Sequence, residues 1–310
     1  MERKYIYLDL KDWIAIGKDF HLRQNHKKYS SELDWVLEAV VTGEICFPLV
    51  DTLFLEFYKN STPNRRTKLA RVMSLLSLGY LIVNKRTRLA YEARLALAKF
   101  FKLTMIKPES MIIRGLPRAF ITDEVFARLT LINKSRLPQI IEAIDNVDSW
   151  IRYFESVDEQ TRNYLMNKYR ELNQKQTEML ESFRKSSDNP DLLLRIYYGR
   201  LFMDTQTTIL QVMNEYGLSK DDLLQLDGVA FSSEIPSFEI EAKLTIESMK
   251  QKSRSLAEND CYDISSLAAA IPYCSTIVTE AFWVDLCKRL KFDKKYDCIL
   301  LKNYRQLPKV

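Results

Sequence analysis

Glycine occurs only seven times in 310 residues, against a usual share near ~7%. A chain this poor in glycine has few tight turns and cannot build a Gly-rich phosphate cradle. Neither G-x-G-x-x-G nor a P-loop occurs, which excludes nucleotide binding of those two kinds. Histidine is scarcer still, with only His21 and His26, both near the N-terminus. A His-rich zinc site or an ordinary Ser-His-Asp triad is therefore not expected. The five cysteines, Cys46, Cys261, Cys274, Cys287 and Cys298, are odd in number and never spaced C-x-x-C. That usage reads as reduced thiols in a cytoplasmic protein. The start, Met1 to Asp9, lacks a signal-peptide apolar region, and no later run is long enough to cross a bilayer, so no membrane partner is expected. What remains for chemistry is carboxylates.

Charge is uneven about a net of +5. Thr62 to Lys102 holds ten Lys or Arg against one acid, Glu92, and Leu286 to Val310 holds eight bases against two acids. Asp204 to Asp263 carries twelve acids and five bases. Each cluster reads first as a solvated helix face. Two basic arms around an acidic segment also suit a polyanion beside a metal.

Periodicity places a β-rich run at residues 4–9 and helices at Asp12–Phe20 and Ser31–Thr42. A buried strand is expected at Ile45–Val50, after Gly43. Asp51 is expected to cap a helix running to Lys59. Pro63 opens a basic helix that ends near Gly79, before a strand at Tyr80–Val83. From about Pro138 to Tyr216 the pattern is helical, broken near Asn189-Pro190. Helices are expected again at Phe238–Ala257, Asp263–Ile271 and Phe282–Leu290, with strands at Ser275–Thr279 and Cys298–Leu301. Alternating β and α elements imply an α/β fold with a parallel sheet covered on both faces. The expected division is an α/β core of residues 1–100 and 236–310, interrupted by a mainly helical insertion at 101–235.

Ligands of open parallel sheets sit beyond the carboxyl ends of the strands. Asp9 directly follows Tyr5–Leu8, and Glu280 directly follows Thr276–Thr279. Glu56 is one turn into the helix after the second strand, and Asp263 is in the first turn of a helix starting near Asp260. Clustered carboxylates repel unless a cation neutralises them. A hard divalent ion takes such oxygens and keeps waters for a phosphate substrate. Each acid also has a plainer reading: Glu56 and Asp51 complement a helix dipole, Glu280 caps a helix, and Asp260 with Asp263 has capping-box spacing. Trp13, Phe282 and Trp283 read as core, with base stacking the lesser alternative.

Tyr7-Leu-Asp9-x-x-x-Trp13-Ile14, Phe47-Pro48 leading to Glu56, Asn259-Asp260-x-x-Asp263, Ser266-Leu-Ala-Ala-Ala-Ile-Pro-Tyr-Cys274 and Ile277-Val-Thr-Glu280 together resemble the PIN-like domain superfamily. That superfamily includes the VapC-type toxins and many ribonucleases. The chain looks most similar to uncharacterised bacterial PIN-like proteins with a Tyr-Leu-Asp start and a Pro-Tyr-Cys segment. The resemblance covers residues 4–60 and 236–305 and leaves the helical middle unexplained. It implies a metal-dependent endoribonuclease with Asp9, Glu56, Asp263 and Glu280 as catalytic metal ligands for Mg²⁺ or Mn²⁺ and Asp260 as an extra ligand. Lys11, Arg65 and Arg66 are candidate phosphate contacts. RNA is the preferred substrate and DNA the alternative, with a homodimer and an antitoxin or regulatory protein as candidate partners. Three positions depart from the pattern: Lys11 where Asn is common, Ser275 where Asp is common, and Glu280 where Asp is common. A non-catalytic nucleic-acid-binding or protein-interaction module on the same fold is the alternative reading.

Overall fold

The computed structural model describes residues 3–59, 62–104, 109–115, 158–187, 189–251 and 259–309. The start of the expected helical middle, from Pro138 to residue 157, lies outside the described residues. In chain order the elements begin β1 (Lys4–Leu8), α1 (Leu10–Gln24), α2 (Glu32–Val41), β2 (Ile45–Cys46), α3 (Asp51–Tyr58), α4 (Pro63–Ser77), β3 (Tyr80–Ile82), α5 (Lys85–Phe100) and β4 (Ile112–Arg114). They continue as α6 (Glu159–Ser186), α7 (Pro190–Glu215), α8 (Lys220–Leu224), α9 (Gly228–Ser233), α10 (Pro236–Met249) and α11 (Asp260–Ala270). The chain closes with β5 (Thr276–Val278), α12 (Ala281–Arg289), α13 (Phe292–Lys295), β6 (Ile299–Leu301) and a 3₁₀ turn, Tyr304–Lys309. The protein is thus mixed α/β and mostly helical. Among the described residues no helix is long and apolar enough to cross a membrane.

Two compact units result. The first draws on Met1–Val83, Ile112–Arg170 and Tyr273–Val310, the second on Asn84–Met111 and Glu171–Pro272. The helical unit therefore holds more than residues 101–235: α5 and α10, grouped by sequence with the α/β core, pack with each other and with α7, and α11 packs on α10. Amphipathic periodicity shows that a helix has a buried face and is silent on what covers it.

The first unit is built on a four-stranded sheet of order β2-β1-β5-β6, each neighbouring pair parallel. Ile6, Tyr7 and Leu8 pair with Thr276, Ile277 and Val278, and all six are buried. Such near-continuous burial marks a parallel sheet covered on both faces. The two ends of the chain thus make one sheet. The strand expected over Ile45–Val50 is shorter, because Pro48 has no N–H to give to a ladder. It stops at Cys46, and Leu49 engages again by a single parallel bridge to Leu81, its N–H donating to the Tyr80 carbonyl at 3.1 Å. β3 itself pairs antiparallel with β4. Gly43, at φ +80°, turns the chain out of α2 into β2, a conformation that side chains rarely adopt.

Trp13 and Trp283 are fully buried, so both belong to the core and neither offers a stacking face. Trp13 meets Phe47 edge-on with centroids 6.0 Å apart, a contact worth about 0.5–1.5 kcal/mol beyond its buried area. The C-terminal turn is tied to α1 by polar bonds. Tyr304 N–H donates to Asp12 Oδ1 at 2.9 Å, its hydroxyl donates to Asp19, and Arg305 reaches Asp19 at 3.2 Å.

In the second unit α6 and α7 break where expected: the Asn189 side chain caps α7 by accepting from the N–H groups of Asp191 and Leu192, and Pro190 follows. Leu97, Ile209, Ile235, Phe238 and Ala242 form part of a fully buried core. Glu92, the lone acid of a basic stretch, is internal. Its carboxylate accepts from Ser237 N–H at 2.9 Å and Ser237 Oγ at 2.8 Å, completing the first turn of α10. That helix, expected to reach Ala257, ends at Met249.

Candidate metal centre

Asp9 is the first residue beyond β1 and occupies the N-cap position of α1 with extended backbone angles, yet its side chain makes no capping bond. Its N–H donates to the Val278 carbonyl at 3.0 Å, which continues the β1–β5 ladder by one step. The Thr279 hydroxyl donates to Asp9 Oδ2 at 3.4 Å. Glu280 lies one residue past the position opposite Asp9 on the neighbouring strand, as N-cap of α12, also without a side-chain cap bond, and it is exposed. Because Leu8 pairs with Val278 in a parallel register, both acids leave the sheet at the same edge. The cap reading of Glu280 is not realised. Glu56 comes to them from α3 and is buried, with 8% of its surface exposed. One carboxylate oxygen of Asp9 and one of Glu56 lie within 4.8 Å of each other.

The electrostatics follow from this crowding. Burial, then the Glu280 charge, raises the Asp9 pKa above the ordinary carboxylate value, and the Lys11 ammonium offsets part of the rise. Glu56 is pushed up to about 7, by burial first and by Asp9 and Glu280 after it, against the pull of Lys59. Two buried carboxyls that resist ionising together are costly as anions and favourable as ligands of a cation. The donors are hard oxygens, with no thiolate or imidazole among Asp9, Glu56 and Glu280. This set suits a hard divalent cation rather than a soft metal.

The other expected residues fall as follows. Lys11 is exposed, with its charge acting on Asp9. Arg65 is exposed on the first turn of α4, whereas Arg66 is buried and pairs with Glu159 at 3.7 Å. Asp260, buried, and Asp263, half-buried, lie in the first turn of α11 in the second unit. The cap of that helix is Asn259 with no side-chain cap bond, so the capping-box spacing of Asp260 and Asp263 is not used. Asp51 is likewise not a cap. Val50 holds the cap position, and Asp51 Oδ1 accepts from the N–H of Thr52. His21 and His26 are exposed.

Asp12 was not singled out by sequence. It is 1% exposed, with Oδ1 bonded to Tyr304 N–H and Oδ2 without a partner among the described residues. Burial carries its pKa to about 6. Its spacing of three from Asp9 on the opening turn of α1 was the available signal. Comparison with known proteins finds no matching family model, no matching curated protein and no matching solved structure.

Proposed function

We propose that this chain is a metal-dependent nuclease of the PIN-like kind that hydrolyses phosphodiester bonds of RNA. Asp9, Glu56 and Glu280 would hold Mg²⁺ or Mn²⁺, and the sequence resemblance adds Asp263 as a ligand and Asp260 as a supporting acid. The observation that carries the reading is the buried Asp9–Glu56 pair at the carboxyl edge of a parallel sheet, with both pKa values raised. A bound divalent ion supplies charge neutralisation for these acids, an acidified water to attack phosphorus, and an electrostatic hold on the leaving oxygen. Asp9 is oriented by the Thr279 hydroxyl and by its backbone bond to Val278. Lys11 and Arg65, both exposed cations, are the phosphate contacts in this reading. Arg66 is buried and paired with Glu159, which leaves it less available to a phosphate than Arg65. The preference for RNA over DNA comes from the resemblance.

The test is cleavage of a mixed single-stranded RNA and DNA panel with Mn²⁺, Mg²⁺ or EDTA. Asp9→Asn, Glu56→Gln and Asp263→Asn are compared with the wild type, with cation uptake followed by calorimetry. Cation-dependent cleavage that falls on the order of 100-fold or more in each variant is the expected result. RNA binding that is salt-dependent but needs no cation, with no cleavage, would replace this reading by the non-catalytic binding module.

A further inference from the structure

The second unit contains a cleft of about 530 Å³ between α7 and the segment formed by α8 and α9. This lies within the range of sites that hold a small organic molecule, roughly 300–1,000 Å³. Two of the chain's seven glycines line it, Gly199 and Gly228. Gly199 is inside the 26-residue α7, where glycine is the least favourable residue after proline. Neither residue has a positive φ, and a Cβ built on either would meet nothing within 4 Å. Backbone geometry and internal packing therefore give no reason for glycine at these positions. What it does at both is keep the cleft clear.

The lining is polarised. Phe202, Leu226 and Val229 contribute apolar walls, and Leu224 stands 82% exposed at the opening. Tyr198 lines the cleft, is 2% exposed, and has a buried hydroxyl without a hydrogen-bond partner among the described residues. Arg195 is exposed on the lining with no carboxylate at ion-pair distance among the described residues. The acid on the lining, Asp227, is engaged through Oδ1 with the N–H groups of Val229 and Ala230.

We infer that this cleft binds a small amphipathic organic anion, its apolar body over Gly199 and Gly228 and its acidic group at Arg195. The site is independent of the carboxylates of the first unit.

Two fluorescent probes of one shape test this on the full chain: anionic 8-anilinonaphthalene-1-sulfonate and neutral N-phenyl-1-naphthylamine. The sulfonate should bind saturably at one per chain and be displaced by 1-naphthoate. Gly199→Leu should weaken both probes at least about tenfold without lowering Tm, since leucine favours the helix. Arg195→Gln should weaken the sulfonate alone. Undiminished sulfonate binding in Gly199→Leu, equal losses of both probes in Arg195→Gln, or no one-to-one binding by the wild type would overturn the inference. A wild-type dimer in sedimentation that Gly199→Leu converts to monomer would assign the cleft to self-association instead.

Discussion

Glu56→Gln is expected to stabilise the cation-free protein above pH 7 while removing its response to cations. In the folded chain Glu56 has a pKa of about 7, against 4.5 for an ordinary glutamate. Below about pH 4.5 the side chain is neutral in both states and costs nothing. Between pH 4.5 and 7 the unfolded chain releases the proton and the folded chain keeps it, so stability falls by about 1.4 kcal/mol per pH unit. Above pH 7 both states are ionised and the full cost, about 3 kcal/mol, is present. Glutamine has the shape without the charge. The stability difference between variant and wild type should therefore be flat in acid and rise by about 3 kcal/mol between pH 4.5 and 8. Any constant offset from the amide cancels in that comparison. Urea titrations in EDTA at several pH values measure it, with Trp13, Trp35 and Trp283 reporting on the first unit. A difference that does not change with pH would mean that Glu56 ionises as it does in water, and the crowded-carboxylate argument would fail. Added Mn²⁺ should raise the wild-type stability and leave the variant nearly unmoved.

Three further outcomes follow from the same geometry. Cation uptake near pH 6.5 should release about one proton, because Asp9 and Glu56 ionise late, and almost none at pH 9; calorimetry in buffers of different ionisation enthalpy reads this directly. Lys11→Gln should weaken RNA binding similarly across sequences and reduce the slope of log affinity against log salt by about 1, as measured by fluorescence anisotropy. Tyr304→Phe removes a donor to Asp19 and should cost about 1–3 kcal/mol in urea denaturation, whereas no change would mean that Arg305 satisfies Asp19 alone.

Asp9 and Glu280 could be read from sequence because an acid ending a β-rich run is local information, and the parallel sheet follows from alternating elements. Asp51 missed the cap position by one residue, since a cap is set by where the backbone angles turn helical and not by which side chain could do the job. Asp12 offered only its spacing of three from Asp9, because the Tyr304 N–H that it accepts from lies 292 positions away. The β3–β4 pair escaped for a related reason: Ile112–Arg114 is too short for periodicity to register. The scarcity of glycine was plain, but the meaning of Gly199 needed the empty space around it. A missing side chain in a helix looks like a simple cost until its surroundings are known.

β1 lies between β2 and β5, and Tyr7 finds Ile277 only after the whole intervening segment has been synthesised. At about 5–20 residues per second the opening strand waits roughly 15–50 s for its partner. Throughout that interval Asp9 has no Thr279 or Glu280 beside it. The carboxylate end of the sheet is therefore assembled late, from two segments that wait for each other across all the helices made between them.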